Sequence, residues 1–210
     1  MSNTKPFFHG TVISVQPRIR LTRSFDQRFH SYLGFSLRLV GEVGAQKKEY
    51  LVGIGKAAQA KHNLRAGDVI SGQCLAVPDP DLEPVHFYKV SKLNVSQRGM
   101  DTKAEAPPWQ GVPPTLEEYR TRGHRRLAAK TYEMKCLTCI WGCRMAVEMI
   151  IDQWKPDVKK YRDETFCYGP KSCKFYKAGP TRKVPGRKGM VWEEADWIDE
   201  EEVSHREDDE

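Results

Sequence analysis

Alternating apolar and polar positions dominate the first half of the chain. In the segment YLGFSLRLV, the apolar residues Leu33, Phe35, Leu37 and Leu39 alternate with polar side chains. This period of two predicts a half-buried strand. Similar patterns occur in GTVISVQPRIRLTR, KKEYLVGIG, AGDVISGQCLAV and PVHFYKVSKLNV, so five strands are predicted between residues 7 and 96. The Ala-rich segment KAAQAKHN, between the third and fourth of these, predicts a short helix.

Five strands with a short helix between the third and fourth resemble an OB-fold. The stretch LRAGDVISGQCLAV also resembles the segment by which many such barrels enter their fourth strand. The resemblance covers roughly the first half of the chain. It implies a small barrel that binds oligonucleotides on strands two and three and on neighbouring loops. Because other such barrels bind proteins or only support another domain, the fold alone does not determine function.

The second half of the chain has a different pattern. Residues 99–114 are rich in Pro, Gly and Ala and are typical of a linker. Thr115 and Glu118 form a capping-box pattern that predicts a basic helix through LEEYRTRGHRRLAAKTYEM. A second helix is predicted for RMAVEMIIDQWK, which ends at Pro156.

These elements predict an α+β protein. Its predicted parts are an N-terminal five-stranded OB-like β-barrel over residues 1–98, the linker 99–114, a small helical, cysteine-rich metal-binding module over residues 115–192, and an acidic tail over residues 193–210.

Charge is distributed very unevenly along the chain. The formal net charge is +6, but the segment from residue 193 onward holds eleven acidic residues and one basic residue. The tail therefore carries −10, which leaves +16 on residues 1–192. The strong positive charge of residues 1–192 predicts a polyanionic partner. The tail, with Trp197 among its carboxylates, is expected to shield that surface, compete for it or bind a protein partner.

The chain also gives an expectation about its compartment. Met1 is followed by polar residues, and no apolar stretch approaches the length needed to cross a bilayer. We therefore expect a cytoplasmic protein without membrane contact, in which thiols stay reduced. Clustered cysteines in that setting indicate a metal site.

Five of the six cysteines form such a cluster. Their spacing is Cys136-x2-Cys139-x3-Cys143, followed by Cys167-x5-Cys173. A C-x2-C turn and a second pair from a distant turn predict a tetrahedral Zn²⁺ site, with a 4Fe-4S cluster as the alternative cofactor. The fifth thiol, Cys143, is either one of the ligands or a small buried side chain, and the sequence leaves open which four bind.

Two basic segments with interspersed aromatic residues are predicted to contact nucleic acid. One joins the first two strands, and the other follows the last cysteine; basic side chains would neutralise phosphates while aromatic rings stack on bases. The predicted contacts are Arg18, Arg20, Arg23, Arg28, Phe29, Tyr32, Arg38, Tyr50, Arg125, Arg126, Lys174, Arg182, Lys183, Arg187 and Lys188.

The sequence thus favours a non-enzymatic protein that binds single-stranded or structured DNA or RNA. Two alternatives remain: an adaptor that binds a protein partner through its acidic tail, and an iron–sulfur enzyme or redox component. No catalytic residues are predicted. The segment GIGK has neither the upstream glycine nor the following Ser or Thr of a phosphate-binding loop.

Overall fold

The computed structural model describes residues 5–25, 27–100 and 106–207. The first four residues of the predicted barrel, residues 101–105 of the predicted linker and the last three residues of the predicted tail lie outside the described residues.

Within the described residues, the chain is built mainly from strands. The strands are β1 Phe7–Arg23, β2 Arg28–Val43, β3 Gln46–Ile54, β4 Val69–Ala76, β5 Phe87–Gln97, β6 Arg125–Arg126, β7 Gly142–Ile150, β8 Lys159–Cys167, β9 Arg182–Pro185 and β10 Val191–Glu194. The α-helices are short: α1 Lys56–His62, α2 Leu116–Arg122, α3 Ala129–Thr131 and α4 Asp196–Glu202.

The first five strands form a closed circuit. Strand β1 pairs antiparallel with both β2 and β4, while β3 and β5 complete the order β1-β2-β3-β5-β4. The inner face is apolar at alternate positions, as the period-two pattern predicts: Phe8, Val12, Leu37, Leu39 and Ile70 are at most 1% exposed. The five predicted strands and the helix between the third and fourth are all present.

The sheet does not end with this circuit. The last residues of β1 pair in parallel with β7, from Arg20 opposite Ala146 to Arg23 opposite Met149. Strand β7 pairs antiparallel with β8, and β8 pairs with β6, so both halves of the chain share one eight-stranded mixed sheet. The long strand β1 therefore connects the circuit to everything that follows.

The predicted fold class is therefore wrong. The second half is not a small helical module, because its strands β6, β7 and β8 continue the sheet of the first half. The segment predicted as a second helix forms β7, in which Met145, Ala146, Val147 and Met149 are buried while Arg144 and Glu148 are partly exposed. Met, Ala and Glu favour a helix in isolation, but pairing with β1 and β8 overrides that weak preference.

The predicted basic helix is also much shorter than expected. Thr115 caps α2 as the capping box predicts, since its side chain accepts a hydrogen bond from the Glu118 backbone N–H. The helix then ends at Gly123, which has a φ of +67°. A side chain there would meet the Glu202 backbone oxygen at 2.4 Å, so the turn after α2 requires glycine.

The C-terminal acidic segment folds onto the rest of the chain. Strand β10 pairs with β9, and α4 follows it. Val203 is 4% exposed and Asp199 is 8% exposed, so this segment packs on the molecule as far as it is described. None of the helices in the described part of the chain is long and apolar enough to cross a membrane.

Candidate functional site

The first two cysteines lie in consecutive backbone turns. Helix α3 continues into a π-helical turn, Tyr132–Cys136. The backbone N–H of Cys139 then donates to the Cys136 carbonyl at 3.1 Å, and that of Gly142 donates to the Cys139 carbonyl, also at 3.1 Å. These turns place Cys136 and Cys139 in one buried cluster just before β7 begins.

A glutamine from the circuit holds these turns in place. The Gln16 side chain, on β1, donates hydrogen bonds to the carbonyls of Cys136 and Cys139, each at 2.8 Å. Its own oxygen accepts a hydrogen bond from the Tyr132 hydroxyl at 2.7 Å. A Cβ on Gly142 would lie 2.9 Å from the Gln16 nitrogen, so only glycine leaves room for this contact.

Sheet pairing brings the second cysteine pair to the first. Cys167 ends β8 and lies opposite Gly142 of β7, and its sulfur accepts a hydrogen bond from the Gly169 backbone N–H at 3.4 Å. The backbone N–H of Cys173 donates to the Pro170 carbonyl at 3.2 Å, so the Gly-Pro turn folds this stretch back. Cys167 packs in the same buried cluster as Cys136 and Cys139.

The four sulfurs influence one another electrostatically. Burial and, to a smaller extent, the negative charges of Cys139, Cys167 and Cys173 together raise the pKa of Cys136 to about 12. Burial also raises the pKa of Cys139, to about 11. The four thiols are therefore neighbours, yet in the described part of the chain no three Cys, His, Asp or Glu side chains are arranged to hold a metal ion.

Cys143 is not brought to the other four. It is fully buried in the core of the circuit, and its sulfur donates a hydrogen bond to the Pro17 carbonyl at 3.3 Å. Burial alone raises its pKa. Cys74, the sixth cysteine, is also fully buried in that core.

A groove lined by lysines lies beside the cysteine turns. We call it the lysine groove; it has a volume of about 440 Å³. It is lined by Ala128, Lys130, Thr131, Met134, Lys135, Lys174, Phe175 and Lys177. Two segments form it, α3 with its π-helical turn and the turn that follows Cys173. They are joined by a hydrogen bond of 2.9 Å from the Ala128 backbone N–H to the Lys177 carbonyl.

The charges of the lysine groove are not neutralised internally. Its four lysines are exposed, and among the described residues none of them forms an ion pair. The Nζ atoms of Lys135 and Lys174 each lie 5.5 Å from the centre of the Phe175 ring. The nearby carboxylate of Glu133 is 3.5 Å from Arg144 instead. The groove therefore combines free positive charge with an aromatic surface.

The predicted contact residues of the first basic segment are mostly engaged within the protein. Arg18 and Arg20 both pair with Glu83, at 3.2 and 3.0 Å. Arg23 and Arg28 both pair with Glu194, each at 2.9 Å. These arginines link β1 and β2 to other parts of the molecule.

The aromatic residues predicted to contact nucleic acid near this segment have three different environments. Phe29 is 67% exposed, and the Tyr32 ring stacks against the Arg120 guanidinium at 4.8 Å. Tyr50 is fully buried, and its hydroxyl donates to the His9 carbonyl. Arg38 forms an ion pair with Glu49 on the neighbouring strand β3.

The residues predicted to contact nucleic acid in the second half of the chain also differ in whether they are paired within the protein. Arg126 is 2% exposed and pairs with Asp199, while Arg182 pairs with Glu164 at 3.0 Å. The others are placed as follows: Arg125 stacks on Tyr176 at 3.8 Å, Lys183 pairs with Glu193 at 3.0 Å, Arg187 lies 3.7 Å from Asp152, Lys188 is exposed with a φ of 55°, and Lys174 lines the lysine groove.

Burial and charge act in opposite directions on Glu194, where these arginines meet. Burial opposes ionisation of this carboxyl, but the positive charges of Arg23, Arg28 and Arg182 outweigh that effect and lower its pKa. The acidic C-terminal segment thus neutralises arginines of its own chain.

Sequence reasoning did not assign Lys135, Met134 or Gln16 to a site. Lys135 and Lys174 directly precede or follow a cysteine of the cluster. Once the two cysteine pairs are predicted to meet, their neighbours in sequence are expected to meet as well. That signal was available for the lysines, whereas nothing in the sequence connects Gln16 to residues 120 positions away.

Comparisons of this chain with protein-family models, with curated proteins and with solved structures found no match.

Proposed function

We propose that the protein binds single-stranded nucleic acid, with the phosphate backbone held in the lysine groove. The observation that carries this proposal is the contrast between the two sets of basic residues. Arg23, Arg28 and Arg126 are neutralised by carboxylates of the same chain. The four groove lysines point their charge at solvent and at any anionic ligand. The ligand is therefore expected at the groove and not along the predicted arginine-rich loop.

The chemistry of the lysine groove fits a single strand better than a duplex. Lysine ammonium groups act as point charges for phosphates and release counterions when they are neutralised. The Phe175 ring offers a surface on which an unpaired base can stack, a contact worth roughly 1–3 kcal/mol in single-strand binding proteins. A base in a duplex is stacked already and has no free face for Phe175.

Salt dependence tests this proposal. Four neutralised phosphates predict that the logarithm of the binding constant falls with the logarithm of salt concentration with a slope of about −3 for a single strand. We would measure fluorescence anisotropy of labelled oligo-dT and oligo-U over a range of salt concentrations. The two oligonucleotides distinguish DNA from RNA, and a hairpin duplex of matched length is expected to bind more weakly than either.

Two variants of equal charge change sharpen the test. Replacing Lys130, Lys135, Lys174 and Lys177 by Gln is expected to weaken binding at least roughly tenfold and to bring the slope close to zero, because each lost phosphate contact removes part of the slope. The control replaces the exposed lysines Lys47, Lys56, Lys61 and Lys92 by Gln, and its slope should match the unmodified protein. Equal losses in both variants would contradict the proposal, since they would show an effect of net charge alone.

A further inference from the structure

Four of the six cysteines lie in two segments of the chain that meet in the fold. Cys136 and Cys139 come from the turns before β7, and Cys167 and Cys173 from the end of β8 and the turn after it. The antiparallel pairing of β7 with β8 sets Gly142 opposite Cys167 and so brings the two turns together. A C-x2-C turn that meets a second cysteine pair from a distant turn is a usual scaffold of a structural zinc site, and here the second pair is the wider Cys167-x5-Cys173.

Hydrogen-bond donors lie around the buried sulfurs of Cys139 and Cys167. The Gly169 backbone N–H donates to the Cys167 sulfur at 3.4 Å, and the Arg125 guanidinium also hydrogen-bonds to this sulfur. Backbone N–H groups of Trp109 and Trp141 donate to the Cys139 sulfur. Donors that point at sulfur stabilise a thiolate more than a thiol, because a hydrogen bond to an ionised acceptor is the stronger one.

Cys143 is separated from this group by its packing. Its sulfur faces the core of the circuit and bonds to the Pro17 carbonyl, and it has no place in the cluster formed by Cys136, Cys139 and Cys167. The structure thereby divides the five clustered cysteines into four that share a place and one that does not.

We infer that Cys136, Cys139, Cys167 and Cys173 together bind one Zn²⁺ ion as thiolates, and that Cys143 takes no part. The four sulfurs are close but do not yet surround a common centre, so binding requires their side chains to turn toward the ion. Each thiol releases its proton to water as its Zn–S bond forms, and no electron is transferred. Four thiolates leave the site with net negative charge, which Arg125 next to Cys167 offsets.

The inferred zinc site would fix the geometry of the lysine groove. Lys135 precedes Cys136 and Lys174 follows Cys173, so an ion that joins these two cysteines also holds the two lysines on either side of Phe175. Zinc binding itself does not depend on the proposed function, because the metal content is measured without nucleic acid.

Metal analysis of the full chain, purified under reducing conditions and without oxygen, tests the inference. We expect one zinc per chain and a colourless protein. The half-buried Cys173 gives the mildest ligand variant, and Cys173→Ser should lose most of its zinc on dialysis against a chelator that leaves the unmodified protein loaded. The matched controls Cys143→Ala and Cys74→Ala should each retain one zinc per chain, because neither sulfur contacts the ion.

A second measurement does not depend on the folding of any variant. Cobalt added to the zinc-free protein should give the visible spectrum of a tetrahedral ion with four thiolate ligands. Brown protein that contains iron and sulfide would overturn the assignment to zinc. Protein without any metal, or zinc that is lost from Cys143→Ala but kept by Cys173→Ser, would overturn the site itself.

Discussion

At the scale of single residues, Gln16 shows how a buried polar side chain organises the site. It lies on β1 and is 7% exposed. Its side-chain nitrogen donates hydrogen bonds to the carbonyls of Cys136 and Cys139, and its side-chain oxygen accepts one from the Tyr132 hydroxyl. Buried polar groups are tolerated only when they are hydrogen-bonded, and removing one partner leaves the others with a desolvation cost. Gln16 therefore couples the position of Cys136 and Cys139 to the strand that carries the circuit.

Replacing Gln16 by Leu is expected to lower the free energy of unfolding by about 2 kcal/mol, because the Tyr132 hydroxyl loses its acceptor and two carbonyls lose a donor. Urea denaturation of the full chain measures this change. The control is Gln97→Leu at the exposed end of β5, which is expected to stay within about 0.5 kcal/mol of the unmodified protein. Equal effects of the two substitutions would contradict the role given to Gln16.

At the scale of elements, the strand β10 and the helix α4 bring acidic residues to buried arginines. Glu194 is 3% exposed and accepts hydrogen bonds from Arg23 at 2.9 Å and from Arg28 at 2.9 Å. Glu193, its neighbour in β10, is exposed and pairs with Lys183 at the surface. Two adjacent glutamates of one strand thus have very different surroundings.

This difference predicts that replacing glutamate by glutamine lowers the free energy of unfolding by different amounts at the two positions. Glu194→Gln removes the closer charged partner of the buried Arg23 guanidinium and leaves it only Glu164, at 3.5 Å. The free energy of unfolding should therefore fall by about 3 kcal/mol. Glu193→Gln breaks an exposed pair and should change stability by less than about 1 kcal/mol. Thermal or urea unfolding of the two variants measures both values, and a similar loss in each would show that the acidic segment is not anchored through Glu194.

The strands also show which elements could be predicted from the sequence pattern and which could not. Period-two patterns identified the strands of the circuit, because each has one apolar face toward a single core. The segment of β7 has Ala146 and Val147 buried next to each other, since it is covered on both faces, and its composition favours a helix. Its pairing with β1 and β8 makes it a strand, and β1 lies far away in sequence.

The candidate site was predictable in part for a related reason. Cysteine spacing predicted a cluster of five thiols without saying which four bind; the structure brings Cys136, Cys139 and Cys167 into one buried cluster and leaves Cys143 in the core of the circuit. The arginines Arg23 and Arg126 were predicted to contact nucleic acid, but carboxylates more than 70 residues away pair with them. The net charge along the chain predicts the sign of a partner's charge. The surface that can bind this partner depends on which charges are already paired within the folded protein.

At the scale of the whole molecule, strand β1 joins the functional features. It forms part of the closed circuit, pairs with β7, presents Gln16 to the cysteine turns and carries Arg23 to the acidic segment. The lysine groove lies next to those cysteine turns, and its charges stay free while most of the arginines predicted to contact nucleic acid are paired with carboxylates of the chain. We therefore expect the ligand to bind on one side of the cysteine cluster.

Lysine footprinting tests this assignment most directly. The full chain is acetylated briefly with and without a saturating single-stranded oligonucleotide, and mass spectrometry measures modification at each lysine. We expect Lys130, Lys135, Lys174 and Lys177 to be protected several-fold, while Lys56 and Lys61 on α1 react equally in both samples. Unchanged labelling in the lysine groove, or protection confined to other lysines, would contradict the account.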